Sequence, residues 1–278
     1  MAKNALVKSE EKKAGEGDAG AQYNLGCRYA NGDVIAKDDG KAVRWFRAAA
    51  EQGHDAAMYN LGLMYHDGRG VPEDKAQAMS CFRSAADQGN AEAQYALGMV
   101  LAERAGGKKT DLAAAKWLYK AADQGIAGAQ FHLGLMYFKG RGVARDKAKA
   151  GEWIRQAASQ GLAAAECMLG HMHDKGEGVP KNSKMAVSWF RRAAIHAYPM
   201  AQFYLGLMYA NGNGVAKNSA MAVNWFRRGA DLGCAEAQFN LGLMYANGKG
   251  VKRDEEKAVF WFRKAIAQGY TGKKPPRK

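Results

Sequence analysis

The chain has 278 residues, 47% of them hydrophobic, so it can bury a core and is not a disordered polypeptide. With only five prolines, it can be helical nearly throughout. The formal net charge of +14 favours acidic partners but does not identify one.

Residues 1–17 form a polar N-terminal segment that lacks the apolar run of a secretory signal. No later stretch reaches the roughly 18 apolar residues of a transmembrane helix. We therefore expect a cytoplasmic protein with no membrane span. Export without a cleavable Sec-type signal, as a host-interaction factor, is the alternative.

A Leu-Gly pair recurs every 36 residues and organises the rest of the sequence. The pairs begin at Leu25, Leu61, Leu97, Leu133, Leu169, Leu205 and Leu241. A fixed period of this size is typical of a stacked array. The sequence predicts seven repeats, at 18–53, 54–89, 90–125, 126–161, 162–197, 198–233 and 234–269, followed by a basic tail at 270–278.

Each repeat predicts two helices. The first, such as 201–211 (AQFYLGLMYAN), has apolar residues at helical spacing, and in six repeats it ends at a glycine suited to a left-handed cap. The second contains an aromatic pair such as Trp225-Phe226 and opens with a capping side chain. The predicted capping residues are Asp38, Asp74, Thr110, Asp146, Asn182, Asn218 and Asp254.

One helix pair cannot bury its apolar faces alone, so the pairs should stack on one another. We expect an all-α fold, a right-handed α-solenoid of seven 36-residue helix-turn-helix repeats with a concave face. Glycine inside a helix costs about 1 kcal/mol relative to alanine. The glycine kept in every Leu-Gly pair therefore predicts a close approach of two backbones.

The pattern A-x-x-x-L-G-x-M-Y-x-x-G-x-G-V-x-x-D-x-x-K-A-V-x-W-F-x-x-A-A-x-x-G resembles the Sel-one-like repeat, a relative of the tetratricopeptide repeat. All seven units match it, the third weakly. The resemblance implies a helical-repeat fold, with the first helices lining the concave face. It also implies a role as an adaptor or scaffold, since most known members of the family have such roles.

The position before each Leu-Gly pair varies among the repeats, although it lies next to the invariant core. If it faces the concave groove, its side chains form a ladder that could bind a partner. This predicted groove consists of Asn24, Asn60, His132, Met168, Tyr204 and Asn240. Asparagine could pair with an extended peptide backbone, and Tyr204 and His132 could supply stacking. A solvated row without function is the alternative.

The second helices carry a recurring arginine, which together with the basic tail could follow the phosphates of a polyanion. This predicted basic face consists of Arg47, Arg83, Arg155, Arg191, Arg227 and Arg263. A solvated helix face is the simpler interpretation, and no nucleic-acid motif accompanies the arginines.

The fifth repeat places Cys167 and His171 four residues apart, on one helical face. A metal site needs three or four convergent ligands, so no metal site is predicted there. No catalytic constellation is found, and neither an enzyme nor a cofactor is expected.

We therefore predict a monomeric protein-interaction scaffold that binds a protein or peptide, preferably acidic, in the concave groove. A binder of nucleic acid or another polyanion is the alternative.

Overall fold

The computed structural model describes residues 2–103, 107–270 and 272, which contain fifteen α-helices and no strand. The helices are α1 (Ala2–Gly15), α2 (Ala19–Asn31), α3 (Asp39–Glu51), α4 (Asp55–Asp67), α5 (Lys75–Asp87), α6 (Ala91–Glu103), α7 (Gly107–Asp123), α8 (Ala127–Lys139), α9 (Lys147–Ser159), α10 (Ala163–Lys175), α11 (Ser183–Ile195), α12 (Pro199–Asn211), α13 (Ser219–Asp231), α14 (Ala235–Asn247) and α15 (Glu255–Ala267). Within these ranges, no helix combines the length and apolar character needed to cross a membrane. Residues 104–106 of the third repeat lie outside the described residues, as do residues 271 and 273–278 of the predicted basic tail at 270–278.

Even-numbered helices are the first helices of the repeats and odd-numbered helices from α3 onward are the second helices, giving seven pairs from α2–α3 to α14–α15. The predicted fold class, an all-α solenoid, is confirmed. The polar N-terminal segment also forms a helix, α1, which the sequence analysis did not predict. Since α1 packs against α2, it occupies the place of a second helix before the first complete repeat.

The chain divides into two compact units. In the first, residues 1–133 with 141–143, each helix from α1 to α6 packs against the next one along the chain. In the second, residues 134–140 with 144–278, the same holds from α9 to α14, and α12 also contacts α14. In the described residues, each unit therefore builds its core mainly from helices that are consecutive in the chain.

The helix ends follow the predicted capping chemistry at most positions. Left-handed glycines such as Gly68 and Gly212 close the first helices. The side chains of residues such as Asp38 and Asn218 accept hydrogen bonds from the first-turn amides of the second helices. The prediction that Thr110 caps the second helix of the third repeat is wrong, because α7 already begins at Gly107 and contains Thr110.

The glycine of each Leu-Gly pair contacts a large side chain from the second helix of its own repeat. A Cβ atom added to Gly170 would stand 2.7 Å from the ring of Phe190, closer than real Cβ contacts. Gly242 and Phe262 repeat this arrangement at the same distance. The predicted close approach is therefore real, but the nearest partner is a side chain rather than a second backbone. It is a phenylalanine ring in five repeats and an aliphatic side chain, Leu118 or Ile154, in the other two.

Buried glutamines connect successive elements in both units. Gln94 Nε2 donates to Ala86 O at 3.1 Å, and Gln94 Oε1 accepts from Gln124 Nε2 at 2.9 Å. The sixth repeat interrupts this pattern, because Leu232 stands where the other donor glutamines stand. Gln202 Oε1 is accordingly buried without a hydrogen-bond partner.

We expect Gly206→Ala to destabilise the protein, because its new methyl group would meet the ring of Phe226, which is 1% exposed. Overpacking typically costs about 1–3 kcal/mol, and it should outweigh the gain of about 1 kcal/mol in helix propensity. Urea denaturation of the variant measures the difference.

Gly20→Ala is the matched control, since the position is exposed and helical and its nearest neighbour would be 3.4 Å away. This control should be neutral or stabilising. Equal effects of the two substitutions would refute the ring contact as the reason for the glycine.

Leu232→Gln should stabilise the protein, because it supplies the missing donor to Gln202 Oε1 and removes a leucine that is 50% exposed. A satisfied buried hydrogen bond is worth about 1 kcal/mol. In thermal melts, Leu232→Glu should bring no such gain, since a carboxylate cannot donate. A Glu variant as stable as the Gln variant would contradict this explanation.

Candidate functional site

One side of each first helix is left uncovered by the packing. In α14 it consists of Glu236, Asn240, Leu243 and Asn247, which are half-buried or exposed, whereas Leu241 is buried. Spacings of four, three and four residues place them on the same side of the helix. We call these residues and their equivalents in the other first helices the first-helix face.

The residues of the predicted groove occupy the second position of this face. Asn24 is exposed, and Asn60, His132, Met168, Tyr204 and Asn240 are half-buried. In the first unit, Asn60 Nδ2 lies 3.8 Å from Cys27 Sγ, at the third position of the preceding first helix. In the second unit, the rings of His171 and Tyr204 have centroids 5.5 Å apart. Second and third positions of successive first helices are thus neighbours within each unit.

The side chains of this row differ in what they can offer a ligand. Asn240 Nδ2 donates to Glu236 O at 2.8 Å within its own helix, so its carbonyl oxygen is the group left to accept from a peptide amide. Tyr204 stacks on Phe190 with ring centroids 4.9 Å apart, and burial raises the pKa of Tyr204 to about 12. Tyr204 therefore contributes to packing between repeats, with one side of its ring already covered.

A hollow of about 440 Å³ opens in the second unit between α12 and α14. Its apolar surface comes from residues such as Leu207 and Leu243, and its amides include Asn240. Lys217 and Lys249, from the loops after α12 and α14, also line it. Of the eleven described residues that line this hollow, two are lysines and none is acidic. It is suited to an apolar side chain beside a carboxylate.

The first unit contains an equivalent hollow, four repeats earlier, with a volume of about 200 Å³. Lys75 and Val100 there correspond to Ser219 and Met244 in the second unit. Glu103 replaces Asn247 at the rim of this hollow. The repeat therefore provides the same concavity in both units, and side-chain substitutions give each one a different charge.

The predicted groove did not include two components of this site. The first is the leucine directly after the Leu-Gly pair, as at Leu207 and Leu243, which is only partly covered. The second is the loop lysines, Lys217 and Lys249. The three-residue spacing from Asn240 could have identified Leu243, whereas the position of the loops depends on the folded structure.

The predicted basic face lies where successive repeats meet. Its arginines are all exposed. In three repeats, however, a tyrosine lies 18 residues after the arginine, and the guanidinium donates a hydrogen bond to the hydroxyl of that tyrosine. Arg191 donates to Tyr209 Oη at 2.8 Å and Arg227 to Tyr245 Oη at 2.7 Å. Arg47 likewise donates to Tyr65 Oη at 2.9 Å. Half of the six arginines are thus engaged in structural bonds between repeats.

The Cys167–His171 pair is a packing feature of α10. Cys167 is 5% exposed, and burial raises the pKa of its thiol to about 12, which opposes the thiolate that a metal requires. Nowhere in the described part of the chain do three His, Cys, Asp or Glu residues form a group that could hold a metal ion.

Comparisons with known proteins agree with this architecture. The sequence profile of the Sel1 repeat matches seven consecutive segments, at 19–54, 55–90, 91–126, 127–162, 163–197, 199–234 and 235–270. No curated protein sequence matches the chain.

Two solved structures are similar along almost the whole chain. One is a protective antigen of uropathogenic Escherichia coli with an SLR fold, 38% identical with a TM-score of 0.84. The match covers 95% of this chain and 56% of that antigen, so the chain spans little more than half of the antigen's length. The other is a Sel1 repeat protein from Oxalobacter formigenes, 38% identical with a TM-score of 0.74, where 97% of this chain and 78% of that protein are covered.

His171 should make the protein sensitive to acid. Burial, and to a lesser extent Lys175, lowers its pKa from the ordinary 6.5, so the unfolded chain binds the proton more tightly than the folded protein. Stability should therefore fall as the pH drops below about 6.5.

His171→Leu places there the residue found at Leu207 and Leu243. We compare the decrease in Tm between about pH 7.5 and pH 5. This decrease should be smaller for the variant than for the wild type, by roughly 1–2 °C. His171→Gln, which is polar but does not titrate, should behave in the same way. Parallel Tm–pH curves for all three proteins would exclude His171 as the cause.

Proposed function

Since the chain belongs to the Sel1 repeat family, we propose that it is a non-enzymatic protein-interaction scaffold that binds a partner on its first-helix face. The partner is a protein segment or peptide. The scaffold acts by binding this partner and catalyses no reaction. The observation that carries the proposal is the hollow between α12 and α14, which combines an apolar surface, amides and two lysines.

The chemistry of this hollow suggests the ligand's features. Leu207 and Leu243 can contact one apolar side chain, while Asn240 can accept a hydrogen bond from the peptide backbone. Lys217 and Lys249 favour an acidic residue or a terminal carboxylate beside that side chain. The proposed ligand is thus an extended acidic segment with an apolar anchor, in keeping with the net charge of +14.

The alternative function, binding of nucleic acid or another polyanion, rests on that net charge and on the exposed arginines of the second helices. The bonds from Arg191 and Arg227 to tyrosines weigh against it, because a polyanion would compete with contacts that join successive repeats. The first-helix face is therefore the better candidate.

A peptide-display selection on the immobilised protein provides a probe, whose affinity is then measured by fluorescence anisotropy. In the test variant, Asn240, Leu243 and Asn247 are changed together to Ala. We expect binding at least about ten-fold weaker, equivalent to 1.4 kcal/mol. The melt should change little, because substitutions at exposed or partly exposed positions usually stay within about 0.5 kcal/mol each.

The matched control changes Arg191 and Arg227 to Ala, which should leave peptide affinity within about two-fold. A labelled single-stranded RNA serves as the polyanion probe for all three proteins. The polyanion function replaces the proposed one under two conditions. The arginine variant must lose binding of both peptide and RNA while the first-helix variant retains both, and the affinity must fall steeply with salt concentration.

A further inference from the structure

The outer side of α15 exposes apolar residues that the other repeats cover. Val259 is 46% exposed and Ile266 58% exposed, whereas their equivalents in α13, Val223 and Ala230, are both 2% exposed. In the preceding repeat, α14 packs against α13. Among the described residues, no helix takes the place against α15 that α14 takes against α13.

Phe260 extends this open surface in a way that the repeat pattern does not require. The equivalent positions in the other six repeats are polar or charged: Arg44, Ser80, Lys116, Glu152, Ser188 and Asn224. Phe260 is 50% exposed, with its ring edge-on to Trp261 and beneath Lys264 Nζ at 4.7 Å. An aromatic ring at a position that is otherwise polar points to a binding role rather than to packing within the chain.

The charges around this apolar centre are arranged symmetrically along the helix. Glu255 and Glu256 lie in the first turn, while Arg263 and Lys264 lie near the last. All four line the same shallow groove of about 660 Å³ with Val259 and Phe260. In sequence position, Glu256 and Arg263 are equally far from the point between Val259 and Phe260. The same is true of Glu255 and Lys264.

This arrangement is complementary to itself in one orientation only. When two such helices lie antiparallel and cross at Val259 and Phe260, Glu256 of each faces Arg263 of the other. A parallel pair would instead bring like charges together. Glu255 also pairs with Arg253 at 2.6 Å in its own chain, so Glu256 is the acidic residue on which the contact depends most.

We propose that this surface binds a second copy of the chain, with α15 of one protomer packed antiparallel on α15 of its partner about a two-fold axis. The contact is isologous, so every favourable pair occurs twice. One helix face per protomer is small for a stable interface, so the dimer should be weak and depend on concentration. This proposal replaces the expectation of a monomer and is independent of the first-helix face.

The test is sedimentation velocity of the full chain from about 1 to 200 μM. The average mass should rise from 30.1 kDa towards twice that value. Phe260→Asn introduces the residue present at Asn224 and should remain monomeric at all concentrations, with an unchanged circular dichroism spectrum and melt. A wild-type protein that stays monomeric, or a Phe260→Asn variant that still dimerises, would overturn the proposal.

Charge reversal tests the orientation of the two helices. Glu256→Arg and Arg263→Glu should each weaken self-association at least about ten-fold, equivalent to 1.4 kcal/mol, because each dimer then contains two like-charge contacts. Mixed in equal amounts, the two variants should form a heterodimer, since both contacts are then between opposite charges. Failure of the mixture to associate would exclude the antiparallel contact.

Discussion

The contact between the Leu-Gly glycine and the large side chain opposite it determines how closely the two helices of each repeat pack. At Gly170 a ring carbon occupies the space where a Cβ would otherwise stand. In the third repeat Leu118 performs the same function against Gly98. Because seven repeats contain this contact in one form or another, each pair has similar geometry and the pairs can stack in register.

This packing fixes the residues between the two helices of each repeat. The residues that vary among repeats lie on the sides of the helices that face away from this contact. In α14, Leu241 and Gly242 are buried against the second helix, and the opposite side carries Asn240 and Leu243. The second helices also expose charges, but the arginine position is partly engaged by tyrosines of the next repeat. The first-helix face therefore offers variable side-chain chemistry on a constant framework.

Local features were predictable from the sequence because they depend on nearby residues. The 36-residue period, the glycine caps and the side-chain caps such as Asp38 are of this kind. The start of α7 was mispredicted because Thr110 has the chemistry of a capping residue, although the helix already includes it. The ring opposite the glycine, the helix in residues 1–17 and the loop lysines around the hollow required three-dimensional information, because sequence spacing does not indicate which elements meet.

We propose that ligand binding uses the first-helix face, which the packing within each unit leaves partly uncovered. Photo-cross-linking tests it most directly, with a photoreactive amino acid placed at Leu243 in one protein and at Asn224, on a second helix, in another. Both positions are exposed. We expect a display-selected peptide to form an adduct from position 243 and not from position 224. Adducts from position 224 alone would contradict it.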